Sequence, residues 1–232
     1  MVAGLATLTK LESLHISFAE SFEPQTSHPD QSLSVPLTPI VLPALTQFLF
    51  NGTRKYLEAL VAQMETPQLV NLTITSYSSG HVVQVPQLFQ FIGRAGYLKL
   101  AKFRRARTRF NEAGCGGGAQ IILDCSRHPC YLDLQFNCLL MPIPSMVIQL
   151  LGEHLSQSSL INSHVRSLSI TESDLRIQLP SNMDLTELWL PFLRPFTAVK
   201  TLRTCRWLAA VLDEVLEDST VLPALQSIEL SD

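Results

Sequence analysis

Residues 41–50 read VLPALTQFLF and residues 221–230 read VLPALQSIEL, so one ten-residue pattern occurs twice in this chain. Each copy begins with the same word, VLPAL, and continues with apolar residues at every second position. Alternation with a period of two is typical of a β-strand that buries one of its faces. A proline just ahead of such a strand is favourable, because it has no amide to donate and holds the backbone extended. The stretch therefore predicts a repeated strand unit.

The same apolar frame, L-x-x-L-x-L with conservative replacements, recurs through most of the sequence. Its copies are Leu11-Leu14-Ile16, Leu45-Phe48-Phe50, Leu69-Leu72-Ile74, Val165-Leu168-Ile170 and Leu225-Ile228-Leu230, with a sixth copy, Val199-Leu202-Thr204, that ends in threonine. Successive copies start 24 to 34 residues apart, except for one gap of 96 residues between the third and the fourth. A period of this length predicts stacked units of one supersecondary structure.

Amphipathic patterns lie between the strand frames. Residues 54–64 (RKYLEALVAQM) place apolar side chains at helical spacing, with the stripe Tyr56, Leu57, Leu60, Val61 and Met64. Similar patterns predict helices over residues 86–92, 145–155, 185–196 and 206–217; the last should turn inward Trp207, Val211, Leu212, Val215 and Leu216. Alternating strands and helices predict an α/β fold, an irregular leucine-rich-repeat-like solenoid with a curved, mostly parallel sheet and outer helices.

The long gap between frames has a different pattern. Residues 97–110 (YLKLAKFRRARTRF) predict an extended, arginine-rich segment, and the glycines of residues 114–118 predict a flexible break. Residues 119–125 and 131–139 read as two strands joined by a turn, so we expect a hairpin insertion near residues 119–139. The proline- and serine-rich residues 20–39 predict a polar loop. We expect residues 1–232 to form a single leucine-rich-repeat-like domain.

Composition excludes several classes of protein. The 232 residues are 46% hydrophobic and 16% charged, carry a net charge of -3, and include 39 leucines. This is too apolar for a disordered chain and not basic enough for a general nucleic-acid binder. No apolar stretch approaches the length of a membrane helix, and the first residues lack the basic and apolar regions of a signal peptide. We expect a cytoplasmic or nuclear protein, with no membrane or nucleic-acid partner, whose five cysteines are free thiols.

The residues between the apolar frame positions are expected to face outward on the open side of the sheet. The candidates for partner binding on that side are Gln47, Asn71, Thr73, Ser167 and Ser169. A second candidate is the arginine-rich segment, whose binding residues would be Arg104, Arg105, Arg107 and Arg109, with Phe103 on the same side of the strand as the last three. Forked guanidinium groups could dock an acidic peptide or a phosphate there. The simpler interpretation is a solvated strand whose charges protect a sheet edge.

Two alternatives to a binding module remain open. The spacing Cys125-x2-His128-x-Cys130 offers soft ligands for zinc or a thiol for catalysis, although it matches no established zinc motif. The glycine-rich residues 114–118 lack the lysine and Ser/Thr of a phosphate-binding loop, and no catalytic motif is evident. One alternative is a small enzyme or metal site that uses these cysteines and His128, or an enzyme that uses the glycine-rich loop. The other is a degenerate fragment without an active partner. We expect no enzyme activity, metal or cofactor.

Several words of the sequence occur together in one known family. They are residues 37–46 (LTPIVLPALT), 56–62 (YLEALVA), 66–69 (TPQL), 73–75 (TIT), 86–92 (PQLFQFI), 189–200 (WLPFLRPFTAVK) and 221–226 (VLPALQ). In this order and approximate spacing, they resemble the leucine-rich-repeat-like region of fungal, mushroom-type F-box domain proteins.

That resemblance implies a function in a ubiquitin ligase. In the family, an N-terminal F-box binds a Skp-type adaptor and the repeat region selects the substrate protein. The residues before Leu11 are too few for an F-box, a helical segment of roughly 40 residues. The resemblance therefore implies the substrate-recognition region alone, a non-enzymatic module that binds a protein partner, and a Skp-type adaptor is not an expected partner.

Overall fold

A computed structural model of the chain describes residues 8–18, 39–78, 85–113, 116–125, 130–138, 148, 151–153, 155, 164–173 and 185–231. The predicted loop at 20–39 lies outside these residues except for Pro39, as do Gly114, Cys115 and His128.

Strands and helices alternate through the described ranges. The strands are β1 (Ser13–Ser17), β2 (Ile40–Val41), β3 (Gln47–Thr53), β4 (Met64–Glu65), β5 (Asn71–Ser78), β6 (Arg105–Ala113), β7 (Gly116–Asp124), β8 (Tyr131–Cys138), β9 (Ser167–Ser173), β10 (Thr201–Cys205) and β11 (Ser227–Ser231). The helices are α1 (Arg54–Val61), α2 (Pro86–Arg94), α3 (Gly96–Leu100), α4 (Leu185–Leu193) and α5 (Arg206–Leu216). Residues 151–153 are also helical.

Nine strands form one mixed sheet in the order β1-β3-β5-β8-β7-β6-β9-β10-β11. All neighbours in it are parallel except β7, which runs antiparallel to both β8 and β6. The chain crosses from β5 to β6, three places along the sheet, and returns through the meander β6-β7-β8 until β8 pairs with β5. The predicted hairpin is thus present as β7 and β8. The fold is mixed α/β with a large, mostly parallel sheet.

The six apolar frames occupy equivalent positions in this sheet. Leu14 pairs with Phe48, and Phe48 with Leu72, while on the other side Leu202 pairs with both Leu168 and Ile228. The first residue of a frame also closes a turn: the amide of Leu45 donates to the carbonyl of Leu42 at 3.2 Å. Four other frames form this turn, at Leu11, Leu69, Val199 and Leu225. The frames are therefore repeated in three dimensions as well as in sequence.

A backbone hydrogen bond reveals a further frame that the sequence analysis did not include. The carbonyl of Lys200, the residue after Val199, accepts the amides of both Gln226 and Ser227 from the next unit. The carbonyl of Arg104 accepts the amides of Arg166 and Ser167 in the same way. Phe103, Ala106 and Thr108 are correspondingly buried and form a frame before and within β6. Its alanine and threonine obscure the leucine pattern.

The core lies between the sheet and the helices. Inward side chains of the strands and the buried faces of α1, α2, α4 and α5 form one hydrophobic cluster. The carboxylate of Glu58 on α1 accepts the amides of Gln87 and Leu88, each at 3.0 Å, and so stabilises the first turn of α2 beside it. Helices therefore cover one face of the sheet.

Some sequence predictions about these helices and strands were wrong. Tyr56 and Trp207 were expected inside but are 49% and 37% exposed, and Leu208 is buried on α5 instead. The extended segment expected over 97–110 begins with helix α3. Phe103 is fully buried in the core, so it does not share a face with the exposed arginines of β6. The predicted break at 114–118 is wrong for its last three residues, Gly116, Gly117 and Gly118, which belong to β7 and pair with residues 111–113 of β6.

Thr204 is expected to destabilise its own frame. It is fully buried at the third frame position, where the five other frames predicted from the sequence carry isoleucine, leucine or phenylalanine, and its Oγ1 has no hydrogen-bond partner among the described residues. A buried hydroxyl without a partner carries a desolvation cost, so Thr204→Val should raise the free energy of unfolding by about 1 kcal/mol. Urea denaturation measures this, with Thr201→Val on the outward face of the same strand as the control. A destabilised Thr204→Val protein would mean that the hydroxyl has a partner.

Candidate functional site

The face of the sheet opposite the helices, which we call the open face, consists of the outward side chains of nine strands. Because paired residues keep the alternation in register, these side chains form three continuous rows across the sheet. The first row is Ser13, Gln47, Asn71, Tyr131, Asp124, Arg105, Ser167, Thr201 and Ser227, and the second is His15, Leu49, Thr73, Asp133, Ile122, Arg107, Ser169, Arg203 and Glu229. The third row is Ser17, Asn51, Thr75, Gln135, Gln120, Arg109, Thr171, Cys205 and Ser231. At ordinary strand spacing, nine strands span about 38 Å.

The structure places eight of the nine predicted binding residues on this face, in two groups. Arg105 and Arg107 on β6 pair with Ser167 and Ser169 on β9, and Arg109 lies one alternation further along β6. Gln47 on β3 pairs with Asn71 on β5, and Thr73 follows it on β5.

Two strands, β8 and β7, separate these groups, so the groups lie about 14 Å apart. The ninth residue, Arg104, is exposed but precedes β6 and has the opposite alternation. Its side chain does not belong to the three rows.

The middle of the open face is a hydrogen-bonded network on β7 and β8. Gln120 donates from Nε2 to Oδ1 of Asp133 at 2.9 Å, and the hydroxyl of Tyr131 donates to Oδ2 at 3.2 Å. Both oxygens of this carboxylate are therefore engaged. Burial raises the pKa of the Tyr131 phenol, and the neighbouring Asp133 carboxylate raises it further. The phenol remains a neutral donor, so this part of the face is fixed and internally satisfied.

Charges on the open face are arranged in columns. Arg107 lies 3.5 Å from the carboxylate of Asp124 on β7, and Arg203 on β10 forms an ion pair with Glu229 on β11. The Arg203–Glu229 pair is solvent-exposed, and the Arg107–Asp124 pair is exposed on its arginine side, so both contribute little to stability because water screens them. In the described part of the chain, Arg105 and Arg109 have no ion-pair partner. Cationic groups are thus available on β6.

The proposed metal or catalytic group at Cys125 and Cys130 lies at the turn between β7 and β8. The two thiols are free and hydrogen-bonded to each other. Burial, followed by the nearby Cys130, raises the pKa of the Cys125 thiol from 9.0 to about 11. His128, the third member, lies outside the described residues. A raised pKa is the opposite of what a nucleophilic thiolate requires.

The rate of alkylation tests whether the pKa of the Cys125 thiol is raised. At neutral pH, we expect iodoacetamide to modify Cys125 about 100-fold more slowly than N-acetylcysteine, because only the thiolate reacts. The rate should then rise about tenfold per pH unit up to about pH 11. Peptide mapping by mass spectrometry identifies the modified residue. A rate that levels off below pH 9 would contradict the raised pKa and strengthen the case for a reactive thiol.

Sequence reasoning missed several residues of the open face. They are Gln120, Asp124, Tyr131, Asp133, Thr171 and Arg203. Both strands of the hairpin were predicted, and their alternation of polar and apolar residues could have assigned Tyr131 and Asp133 outward. Nothing local indicates that β8 pairs with β5 and β6 with β9, and this pairing places the side chains of β7 and β8 between the two predicted groups.

Comparisons with known proteins add no family to this description. No protein-family model matches the chain, and neither a curated protein nor a solved structure is significantly similar to it. The resemblance to F-box repeat regions stays a prediction.

Among the described residues, His, Cys, Asp and Glu side chains do not gather in groups of three or more that could hold a metal ion. None of the helices in the described ranges is long and apolar enough to cross a membrane.

Proposed function

We propose that this chain is a non-enzymatic protein-interaction module that binds its partner on the open face of the sheet. The observation that carries the proposal is the three continuous rows of outward side chains, most of them polar, which run across all nine strands. Strand pairing fixes the backbone positions of these residues, so the backbone loses little conformational entropy when a partner binds. The face spans about 38 Å, which suits an interface of standard size.

The repeat structure supports a more specific proposal, a leucine-rich-repeat-like solenoid. The recurrent turn before each frame, the carbonyl that accepts two amides from the next unit, and the register of the frames are what a stack of equivalent units requires. In such stacks the strand face serves for recognition. With the resemblance to F-box repeat regions, this makes the partner a protein selected as a substrate of a ubiquitin ligase.

Proximity labelling in cells tests the open face without knowledge of the partner. Thr73→Arg and Ser169→Arg together introduce two long side chains into the middle row of the open face. We expect labelling of the specific partners to fall at least tenfold, because steric exclusion at the centre of an interface removes its best-packed contacts. The folded state of the variant is checked by its thermal unfolding.

The matched control introduces the same side chains on the helical side of the molecule. Gln90 and Ala210 are exposed on α2 and α5, so Gln90→Arg with Ala210→Arg adds equal charge and bulk away from the open face. Partners lost in the open-face variant should persist in this control. The proposal fails if both variants label the same proteins to the same extent as the unmodified chain.

A further inference from the structure

We propose that the open face binds an extended acidic peptide segment along strand β9, with carboxylates at alternate residues paired to Arg105, Arg107 and Arg109. This inference rests on the proposed function and names the chemistry of its partner. It concerns the side of the open face formed by β6, β9 and β10, away from the hydrogen-bonded network around Asp133.

The three strands form a shallow trough. Arg105 pairs with Ser167, Arg107 with Ser169 and Arg109 with Thr171, so a column of long side chains stands beside a column of short ones. The arginines are exposed, whereas the serines and the threonine are half-buried and form the floor. On the far side of the floor, β10 contributes Thr201 and the exposed Arg203. The trough is therefore one strand wide and parallel to β9.

The spacing of the arginines matches an extended peptide. Alternate residues of a strand are about 6.6 Å apart, and the side chains on one side of an extended peptide have the same spacing. A segment with Asp or Glu at every second position can thus present one carboxylate to each guanidinium. Forked guanidinium–carboxylate pairs are charge-assisted and are among the stronger hydrogen bonds in proteins. The alternate residues between the carboxylates face away from the arginines.

The charges around the trough favour a single peptide over a nucleic acid. Asp124 on β7 and Glu229 on β11 each lie two strands from the floor on β9, on opposite sides, and the whole chain has a net charge of -3. A broad polyanion would meet both carboxylates, whereas a peptide over β9 would meet only Asp124, which it displaces from its ion pair with Arg107. The floor carries serine and threonine, with no aromatic ring on which bases could stack. The trough therefore favours an extended peptide whose carboxylates are spaced like alternate residues of a strand.

Fluorescence anisotropy with defined peptides tests this inference on the full chain. The probe is a short labelled peptide that alternates glutamate and serine, and its comparison is a peptide of identical composition with the glutamates in one block. We expect the alternating peptide to bind about tenfold more tightly, and its affinity to fall as ionic strength rises. Equal affinity for the two peptides would overturn the spacing argument. Equal or tighter binding of polyuridylate would overturn the assignment to a peptide.

Charge reversal identifies the residues involved. Arg105→Glu, Arg107→Glu and Arg109→Glu combined should weaken binding of the alternating peptide at least 100-fold, and the milder Arg→Gln triple variant should weaken it at least tenfold. The control reverses three exposed charges outside the three rows, with Lys55→Glu, Lys99→Glu and Arg194→Glu, and should change affinity less than about threefold.

The outcomes separate this inference from the proposed function. An alternating peptide that does not bind, or that binds the reversed variant equally well, overturns the acidic-peptide trough. The labelling lost in the Thr73→Arg, Ser169→Arg variant would still support a protein partner elsewhere on the open face. If that labelling is also unchanged, both proposals fail.

Discussion

Replacing Trp189 by alanine is expected to lower the free energy of unfolding by about 3–5 kcal/mol. Trp189 on α4 is fully buried, and its ring makes edge-on contacts with Phe110 of β6 and Phe192, with centroids 5.7 and 5.9 Å away. The residue joins the central meander to the helical layer, so its removal leaves a large cavity. Because domains of this size are stable by only about 5–15 kcal/mol, much of the molecule's stability depends on this one residue.

The second tryptophan supplies a matched control. Trp207 on α5 is 37% exposed, so Trp207→Ala should cost about 1 kcal/mol or less. Trp189→Phe separates packing from polarity. It keeps an aromatic ring and most of the packing, and it removes an indole N–H that has no partner among the described residues. Guanidinium denaturation followed by circular dichroism measures all three. Equal losses for both alanine variants would show that the packing around Trp189 is not as described.

Replacing Gly152 by alanine is expected to have the second large effect, a loss of at least about 3 kcal/mol. A Cβ atom at this position would lie 2.6 Å from the carbonyl carbon of Pro191 and 2.7 Å from the amide nitrogen of Phe192. Both atoms belong to the backbone of α4, so a side-chain rotation cannot relieve the contact and the two helical segments must separate. Overpacking of this kind typically costs 1–3 kcal/mol even where side chains can adjust.

Gly93 provides the opposite expectation. It lies within helix α2, and an added Cβ there meets nothing within 4 Å. Because alanine restricts the unfolded chain and favours helix, Gly93→Ala should raise the free energy of unfolding by about 0.5–1 kcal/mol. Thermal unfolding of the two variants gives opposite shifts in Tm. A harmless Gly152→Ala substitution would mean that residues 151–153 do not approach α4 so closely.

The local pattern of apolar residues was sufficient to predict most of the strand units. The spacing Leu45-Phe48-Phe50 predicts which residues of a strand lie on its apolar face, and the six frames predicted in this way lie in equivalent positions; the turn before the strand was not predicted, and Ile228 and Leu230 of the last frame are exposed. Phe103-Ala106-Thr108 was missed because small and polar residues fill two of its three positions. Such a frame is recognisable only through its backbone, where the carbonyl of Arg104 accepts two amides from the next unit.

The composition of the candidate site depended more on the order of strands in the sheet than on local pattern. Alternation alone indicates that Arg105, Arg107 and Arg109 share one side of a strand. That Ser167, Ser169 and Thr171 form the floor beside them follows from the pairing of β6 with β9, and these strands are separated by more than 50 residues of sequence. The same pairing places β6 inside the sheet, so its charges do not protect an edge as the simpler interpretation required.

The identical words at 41–45 and 221–225 show which parts of the local conformation depend on the sequence alone and which do not. Both form the same turn, in which the amide of the final leucine donates to the carbonyl of the first. The proline was expected to give an extended entry, but its fixed φ also suits the second position of a turn, which is where it lies. The residues before the proline differ. Val41 is 45% exposed in strand β2, held by the neighbouring β4, whereas Val221 is buried after α5 and Leu222 adopts a positive φ of 45°.

These differences arise because the identical words have different hydrogen-bond partners, which local propensity does not determine. The amide of Leu42 donates to Glu65 of β4, but the amide of Val221 donates to Asp218 at the end of its own helix. The sequence by itself determined the repeated strand unit and which of its faces is apolar. The tertiary structure decided which strands became neighbours, and therefore which polar side chains share the open face, since strand pairing joins residues that no local pattern relates.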